Sequence, residues 1–134
     1  MIDGRGAVSN PDGRYAAFAR ASFDDGWGEQ GADDPRPAPA TTVNDEAIQS
    51  IIATNDSPDV PFDQSVNPYR GCEHGCVYCF ARPTHAYLGL SPGLDFETKL
   101  RAKPEAAATL RRELARASYA CAPINLGANT DPYQ

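Results

Sequence analysis

One short stretch carries most of the chemical information in this chain: Gly71-Cys72-Glu73-His74-Gly75-Cys76-Val77-Tyr78-Cys79-Phe80. It holds three of the four cysteines, in the spacing C-x3-C-x2-C. In a chain without secretory features, clustered cysteines favour metal or redox chemistry over disulfides. The two glycines allow the backbone to bend tightly around such a site. The spacing therefore predicts three thiolates that coordinate one face of a metal centre.

The spacing leaves the metal open between zinc and iron. Structural zinc takes four protein ligands, so His74, His85 or Cys121 would have to supply the fourth. An iron–sulfur cube held by three cysteines instead keeps one iron free for a substrate or cofactor. We favour iron because the chain has no second cysteine pair. On this interpretation Cys121 is a small buried residue, His74 is a hydrogen-bonding residue near the sulfurs, and His85 belongs to the structure of the loop.

Stretches on both sides of the cysteines sharpen this interpretation. Together with the aromatic residue before Cys79, they resemble the radical S-adenosylmethionine (radical SAM) superfamily, and within it the branch related to spore photoproduct lyase. The stretches that carry the resemblance are Gly4-Arg5-Gly6-Ala7, Asp24-Asp25-Gly26-Trp27, Ser57-Pro58-Asp59, Asn67-Pro68-Tyr69-Arg70-Gly71-Cys72, Cys79-Phe80-Ala81-Arg82-Pro83-Thr84-His85 and Thr130-Asp131-Pro132-Tyr133-Gln134. They span nearly the whole chain.

The resemblance implies a radical reaction that depends on a cofactor. Cys72, Cys76 and Cys79 would hold a 4Fe–4S cluster, and its unique iron would bind the amino and carboxylate groups of S-adenosylmethionine. One electron from an external donor would cleave the carbon–sulfur bond of the sulfonium. The resulting 5′-deoxyadenosyl radical would abstract a hydrogen atom from a substrate that the sequence does not identify.

The resemblance also suggests residues that contact the cofactor. Tyr78 matches the aromatic residue that lies near the adenine in the family. The superfamily usually places Gly-Gly-Glu at the end of the second strand, whereas this chain has other residues there, and Thr130 and Asp131 would supply the polar contact. Spore photoproduct lyase uses a cysteine in this neighbourhood to return a hydrogen atom. Residues 128–131 contain none, which argues against repair of DNA photoproducts.

Composition and charge exclude several other classes of protein. No run of about 18 apolar residues is present, and the first thirty residues lack the apolar block of a secretory signal. These features predict a cytoplasmic protein that does not associate with a membrane. The formal net charge is −6, and residues 1–60 hold 4 basic and 11 acidic side chains. Neither half has the basic excess that typifies nucleic-acid binding.

Local patterns predict a modest set of elements. Residues 1–43 are rich in Gly, Pro and Asp and read as irregular, with the segment around Trp27 expected to dock on a core. Apolar spacing predicts a short helix over 44–53, and a second helix begins at Pro104 with the stripe Ala107, Leu110, Leu114 and Ala117 facing the core. Strands are predicted over 65–70, 96–103 and 124–127, and a Gly- and Pro-marked loop over 71–93 has a helical stretch after Cys79.

The order strand, helix, strand after residue 96 predicts a βαβ unit with parallel strands. We therefore expect an α/β fold, the N-terminal portion of a partial (β/α) barrel of parallel strands. Residues 1–60 would form an acidic, largely irregular arm, and residues 61–134 the start of the radical SAM core. A complete barrel needs about 200–250 residues. The sequence thus reads as an N-terminal fragment that is not competent for catalysis alone.

A row of basic residues lies on one face of the strand predicted over 96–103. Lys99, Arg101 and Lys103 alternate with apolar residues, which predicts that they share a face. Two interpretations stay open. In a barrel the row would point inward, toward the cofactor or an anionic substrate. On an open sheet it would form a solvated face.

Overall fold

A computed structural model of the chain describes residues 4–19 and 39–134, and the segment around Trp27 lies outside them. The described part is a mixed α/β structure. Its elements in chain order are β1 (Thr42–Asp45), β2 (Ile52–Thr54), β3 (Gln64–Val66), β4 (Tyr69–Arg70), a 3-10 helix (Arg82–Leu88), α1 (Leu94–Thr98), β5 (Lys99–Ala102), α2 (Ala106–Leu114) and β6 (Ile124–Leu126).

The strands form two small sheets of three strands each. One sheet has the order β1-β5-β4, with β1 parallel and β4 antiparallel to β5. The other has the order β2-β3-β6, with β6 parallel and β2 antiparallel to β3. The predicted α/β class is confirmed. The expected partial barrel of parallel strands is not, because both sheets are mixed and the described strands close no barrel.

The predicted βαβ unit is wrong in its pairing. Strands β5 and β6 flank helix α2 in the chain, but each pairs in a different sheet. The predicted strand over 65–70 is confirmed in two pieces, β3 and β4, which are separated at Asn67 and Pro68. Proline has no N–H for a ladder, so the chain leaves one sheet here and enters the other.

Two elements have a different secondary structure from the one predicted. The helix predicted over 44–53 is wrong, because β1 and β2 occupy its two ends. Its isoleucine spacing matched a helix, but Ile52 instead pairs across a sheet with Val66. The strand predicted over 96–103 is right only from Lys99 onward, since Phe96 and its neighbours form α1. Long-range pairing overrides the local pattern in both places.

Helix α2 is confirmed, but it buries a different face from the predicted one. Thr109 and Glu113 are its buried residues, whereas Leu114 is 41% exposed and Ala107 and Ala117 are exposed. Glu113 explains why the helix buries this face rather than the predicted one. Its carboxylate accepts the backbone N–H groups of Ile51 and Ile52, at 3.3 and 3.0 Å, and so ties α2 to the start of β2.

The core of the described structure lies beneath the cysteine stretch. Cys72, Ala81 and Phe96 form its buried centre, and Cys79 packs against them. Phe96 is fully buried and comes from α1. Helix α1 therefore supplies the floor on which the cysteine loop sits. None of the helices in the described ranges has the length and apolar character needed to cross a bilayer.

Candidate metal centre

The cysteine loop, residues 71–81, leaves directly from the end of β4. Gly71 and Gly75 have φ of +79° and +61°, in the left-handed region that favours glycine. Two successive turns shape the loop. The N–H of Gly75 donates to the carbonyl of Cys72 at 3.3 Å, and the N–H of Cys79 donates to the carbonyl of Cys76 at 3.2 Å. The glycines that the sequence analysis assigned to backbone bending are thus confirmed in that role.

The three thiols of the loop differ in exposure. Cys72 is buried, Cys79 is half-buried and Cys76 is exposed, and all three are free of disulfides. Within residues 4–19 and 39–134, no group of three or more His, Cys, Asp or Glu side chains is arranged to hold a metal ion. Cys121 is exposed and precedes β6, so its predicted burial is wrong. It lies in the connection between α2 and β6, most of whose residues are exposed.

Arg82 holds the cysteine loop from below. Its guanidinium donates to four backbone carbonyls, those of Gly75, Cys76, Pro92 and Gly93. The carbon of the guanidinium also lies 5.2 Å from the centre of the Phe96 ring, within the range of a cation–π contact. Because two of the carbonyls belong to the loop and two to the segment before α1, Arg82 fixes the loop to its floor.

Glu97 completes this support from the buried side. It is fully buried and accepts from Nη2 of Arg82 at 2.5 Å. It also accepts the backbone N–H groups of Arg5 and Gly6, at 2.6 and 3.1 Å. Burial alone would raise the pKa of Glu97. The Arg82 guanidinium and these two amides outweigh burial and hold the pKa below its ordinary value. Glu97 therefore stays ionised and joins the N-terminal segment to the loop.

The N-terminal segment packs closely on the loop at two glycines. A Cβ at Gly6 would lie 1.9 Å from the carbonyl oxygen of Gly75, and a Cβ at Gly75 would lie 2.8 Å from Cβ of Arg5. Arg5 adds a side-chain bond of 2.7 Å to the carbonyl of Glu97. Residues 4–7, one of the stretches that carry the resemblance, thus form a strap across the cysteine loop.

The segment after β6 reaches the other side of the loop. His74 Nε2 lies 2.6 Å from Oδ2 of Asp131, and the Gln134 side chain bonds to the backbone of Glu73 and Gly71. His74 is thus a hydrogen-bonding residue of the loop, although it is exposed. The N–H of Tyr133 and the imidazole of His74 lower the pKa of Asp131. This carboxylate is therefore ionised at neutral pH.

The other two residues expected to contact the cofactor differ from each other. Thr130 is buried, and its hydroxyl donates to the carbonyl of Tyr69 at 3.3 Å. Tyr78 is 86% exposed on the outer rim of the loop. The structure therefore brings Asp131 to the cysteine loop and Thr130 to β4, the strand before the loop, and it leaves Tyr78 facing solvent.

His85 is fully buried, and its Cε1 would lie 2.9 Å from a Cβ at Gly71. Its Nε2 is 3.0 Å from the carbonyl of Lys99, and its ring packs edge-on against Phe96. Burial lowers the pKa of His85, so the imidazole is neutral. With Nε2 committed to a carbonyl and the ring enclosed by the core, His85 acts as part of the loop's support, as the sequence analysis expected.

Sequence reasoning missed Arg82 and Glu97. Glu97 falls within the strand predicted over 96–103, because the local alternation does not distinguish the residues of α1 from a strand. Arg82 lies in one of the stretches that carry the resemblance, but nothing in its local pattern indicates a buried partner. The one available signal was chemical. An arginine close to a cysteine cluster, with a glutamate fifteen positions later, is a candidate charge pair.

The comparisons with known proteins find relatives without a described activity. An uncharacterized protein of Mycobacterium bovis and two of Mycobacterium tuberculosis are each 56% identical to this chain over 75 residues. The matched part covers 56% of this chain and 22% of each relative. The chain thus spans about a fifth of the length of the curated relatives it matches. No family model matches the chain, and no solved structure matches it.

Proposed function

We propose that the chain carries the cluster-binding start of a radical SAM enzyme, with Cys72, Cys76 and Cys79 as the ligands of a 4Fe–4S cluster. The observation that carries the proposal is the C-x3-C-x2-C spacing on a glycine-hinged loop that directly follows a strand. When bound, the cluster and S-adenosylmethionine would supply a 5′-deoxyadenosyl radical for hydrogen abstraction from a substrate of unassigned identity. The proposed fold is the N-terminal portion of a partial (β/α) barrel.

The donor set fits such a cluster in its chemistry. Three thiols within eight positions are the ligands that iron–sulfur clusters prefer. Cys72 and Cys79 already share one apolar floor, next to Phe96. The exposed Cys76 has to join them, so we propose that the loop draws its three thiols together when metal binds. Gly71 and Gly75 permit that movement, while Arg82 holds the base of the loop in place.

The surrounding residues have distinct proposed tasks. Phe96 and Ala81 exclude water from two of the sulfurs, because both are fully buried against Cys72. Asp131, held beside the loop by His74, presents an ionised carboxylate that suits the amino group of the cofactor. Tyr78 offers an exposed aromatic ring for the adenine. Thr130 positions the segment after β6 through its bond to Tyr69.

A small zinc-binding module is the alternative that the experiment has to exclude. The 134-residue chain is reconstituted anaerobically with iron and sulfide, and metal content is measured per chain. About four irons and four sulfides, with the brown colour of a cluster, are expected. A colourless protein that retains one tightly bound zinc would overturn the proposal.

Two alanine variants identify the ligands. Cys76→Ala should abolish iron retention, because three thiolates are needed to hold the cube. Cys121→Ala is the matched control, since it also removes an exposed free thiol but lies outside the loop. Equal losses of iron in the two variants would show that the assigned ligand set is wrong.

A further inference from the structure

One face of the sheet β1-β5-β4 concentrates positive charge beside the cysteine loop. Lys99, Arg101 and Lys103 alternate along β5 and its continuation, so they share this face. Arg70 stands directly opposite Arg101 on the antiparallel strand β4, which places its side chain on the same face. The basic row predicted from the sequence is therefore confirmed and gains a fourth member.

Carboxylates neutralise only part of this charge. Lys99 pairs with Asp95 at 2.9 Å, and Arg70 pairs with Glu46 at 3.1 Å. Lys103 donates to an uncharged group, the carbonyl of Asn67, at 2.9 Å. In the ranges 4–19 and 39–134, the guanidinium of Arg101 forms no hydrogen bond or ion pair, although its backbone belongs to the ladder of β5. Arg101 thus has no carboxylate partner within the described ranges, and the Glu46 carboxylate acts on Lys103 only through its charge, without a hydrogen bond between them.

The arrangement is unfavourable for the chain alone. Like charges directly opposite each other on neighbouring strands destabilise a sheet. Lys103 is half-buried as well, and burial, followed by the charge of Arg70, lowers its pKa against the opposing effect of the Glu46 carboxylate. Local conflicts of this kind concentrate at binding sites, where a ligand resolves them. An anion placed between Arg101, Arg70 and Lys103 would remove the repulsion.

We propose that Arg70, Arg101 and Lys103 form a binding site for the phosphate group of a ligand. Two guanidinium groups offer paired N–H donors that match the oxygens of a phosphate, and the ammonium adds a point charge. A multivalent phosphate suits three clustered cations better than a single carboxylate does. The site does not rest on the metal proposal, because none of its three residues is a proposed cluster ligand. Arg70 stands two positions before Cys72, so the bound phosphate would lie beside the cysteine loop.

The test uses the full chain without metal, kept reduced, and inorganic pyrophosphate as the probe. Isothermal titration at low salt gives the affinity, and amide chemical shifts locate the site. We expect saturable binding with shifts in β4 and β5, and an affinity that falls as salt is added. Succinate, a dicarboxylate, should bind at least tenfold more weakly. Equal affinity for succinate would overturn the phosphate assignment.

Two arginine variants make the test specific. Arg101→Gln should weaken pyrophosphate binding at least tenfold while its melting temperature stays equal to or above that of the wild type, because a repulsive pair is removed. Arg111→Gln, an exposed change on α2, is the matched control and should bind normally. Unchanged binding in Arg101→Gln would overturn the site. A lowered melting temperature in that variant would show that Arg101 is a structural residue, and would also overturn it.

Discussion

Glu97 and Glu113 are both buried glutamates, and they attach two different regions of the chain. Glu97 fixes the strap at residues 4–7 to the cysteine loop, and Glu113 fixes α2 to the start of β2. Both accept backbone N–H groups from a segment at least 61 positions away in sequence. Glu97 has a guanidinium partner in addition, whereas Glu113 accepts from neutral backbone amides.

The difference shows where the molecule is rigid. Below the cysteine loop, Glu97 forms an ion pair with Arg82 and accepts two amides of the strap. Arg82 in turn donates to four backbone carbonyls of the loop and of the segment before α1. At Glu113 the bonds are longer, at 3.0 to 3.3 Å, and three of the four residues in the predicted apolar stripe, Ala107, Leu114 and Ala117, are exposed. We therefore expect the underside of the cysteine loop to tolerate less change than the contact between α2 and β2.

The largest effect is expected for Glu97→Gln. It leaves the Arg82 guanidinium buried without its counter-charge, which costs about 3–5 kcal/mol of unfolding free energy. Urea unfolding followed by circular dichroism measures the loss. The reactivity of Cys76 toward an alkylating reagent should rise with it, because the loop loses its anchor. A loss below about 1 kcal/mol would contradict the role given to this pair.

A smaller effect is expected for Glu113→Gln. The amide still presents one oxygen to Ile51 and Ile52, so the cost is that of a weakened buried hydrogen bond, about 1–3 kcal/mol. The same unfolding measurement compares the two variants directly. If Glu113→Gln proved the more damaging of the two, the comparison between the regions would be reversed.

The dependence of unfolding free energy on pH tests the charge of both glutamates. Arg82 and the strap amides lower the pKa of Glu97 against the effect of burial, and hydrogen bonds from Ser50, Ile52 and Ile51 do so for Glu113. A lowered pKa in the folded state gives stability that is present above the ordinary glutamate pKa of about 4.3 and is lost as pH falls through the folded value. Unfolding free energy should therefore decline below about pH 4.3 in the wild type. Each glutamine variant should show a shallower decline, and an unchanged profile in Glu97→Gln would contradict the assignment.

The smallest effect is expected for Leu114→Ala on α2. Leu114 is 41% exposed, so its truncation should cost below about 1 kcal/mol. A leucine in a packed core would cost about 2–5 kcal/mol. Urea unfolding distinguishes these values. A core-sized loss would show that the apolar stripe of α2 is covered, as the sequence pattern predicted.

Local signals predicted much of the fold and of the cysteine loop. The glycines beside Cys72 and Cys76, the extended residues before the loop, and the helix after Pro104 all follow from neighbouring residues in the chain. The sheet to which each strand belongs could not be predicted, because no local pattern indicates that β5 and β6 pair in different sheets. Glu97 and Glu113 were missed for the same reason. The backbone N–H groups that they accept belong to residues 92 and 61 positions away, which no local pattern indicates.

The central claim is that three thiolates hold a cluster and leave one iron open. The most direct measurement is electron paramagnetic resonance of the reconstituted, reduced chain, recorded with and without S-adenosylmethionine. An open iron predicts a cluster signal whose g-values change when the cofactor is added. A signal that is identical in both spectra, from a chain confirmed to hold four irons, would contradict the claim.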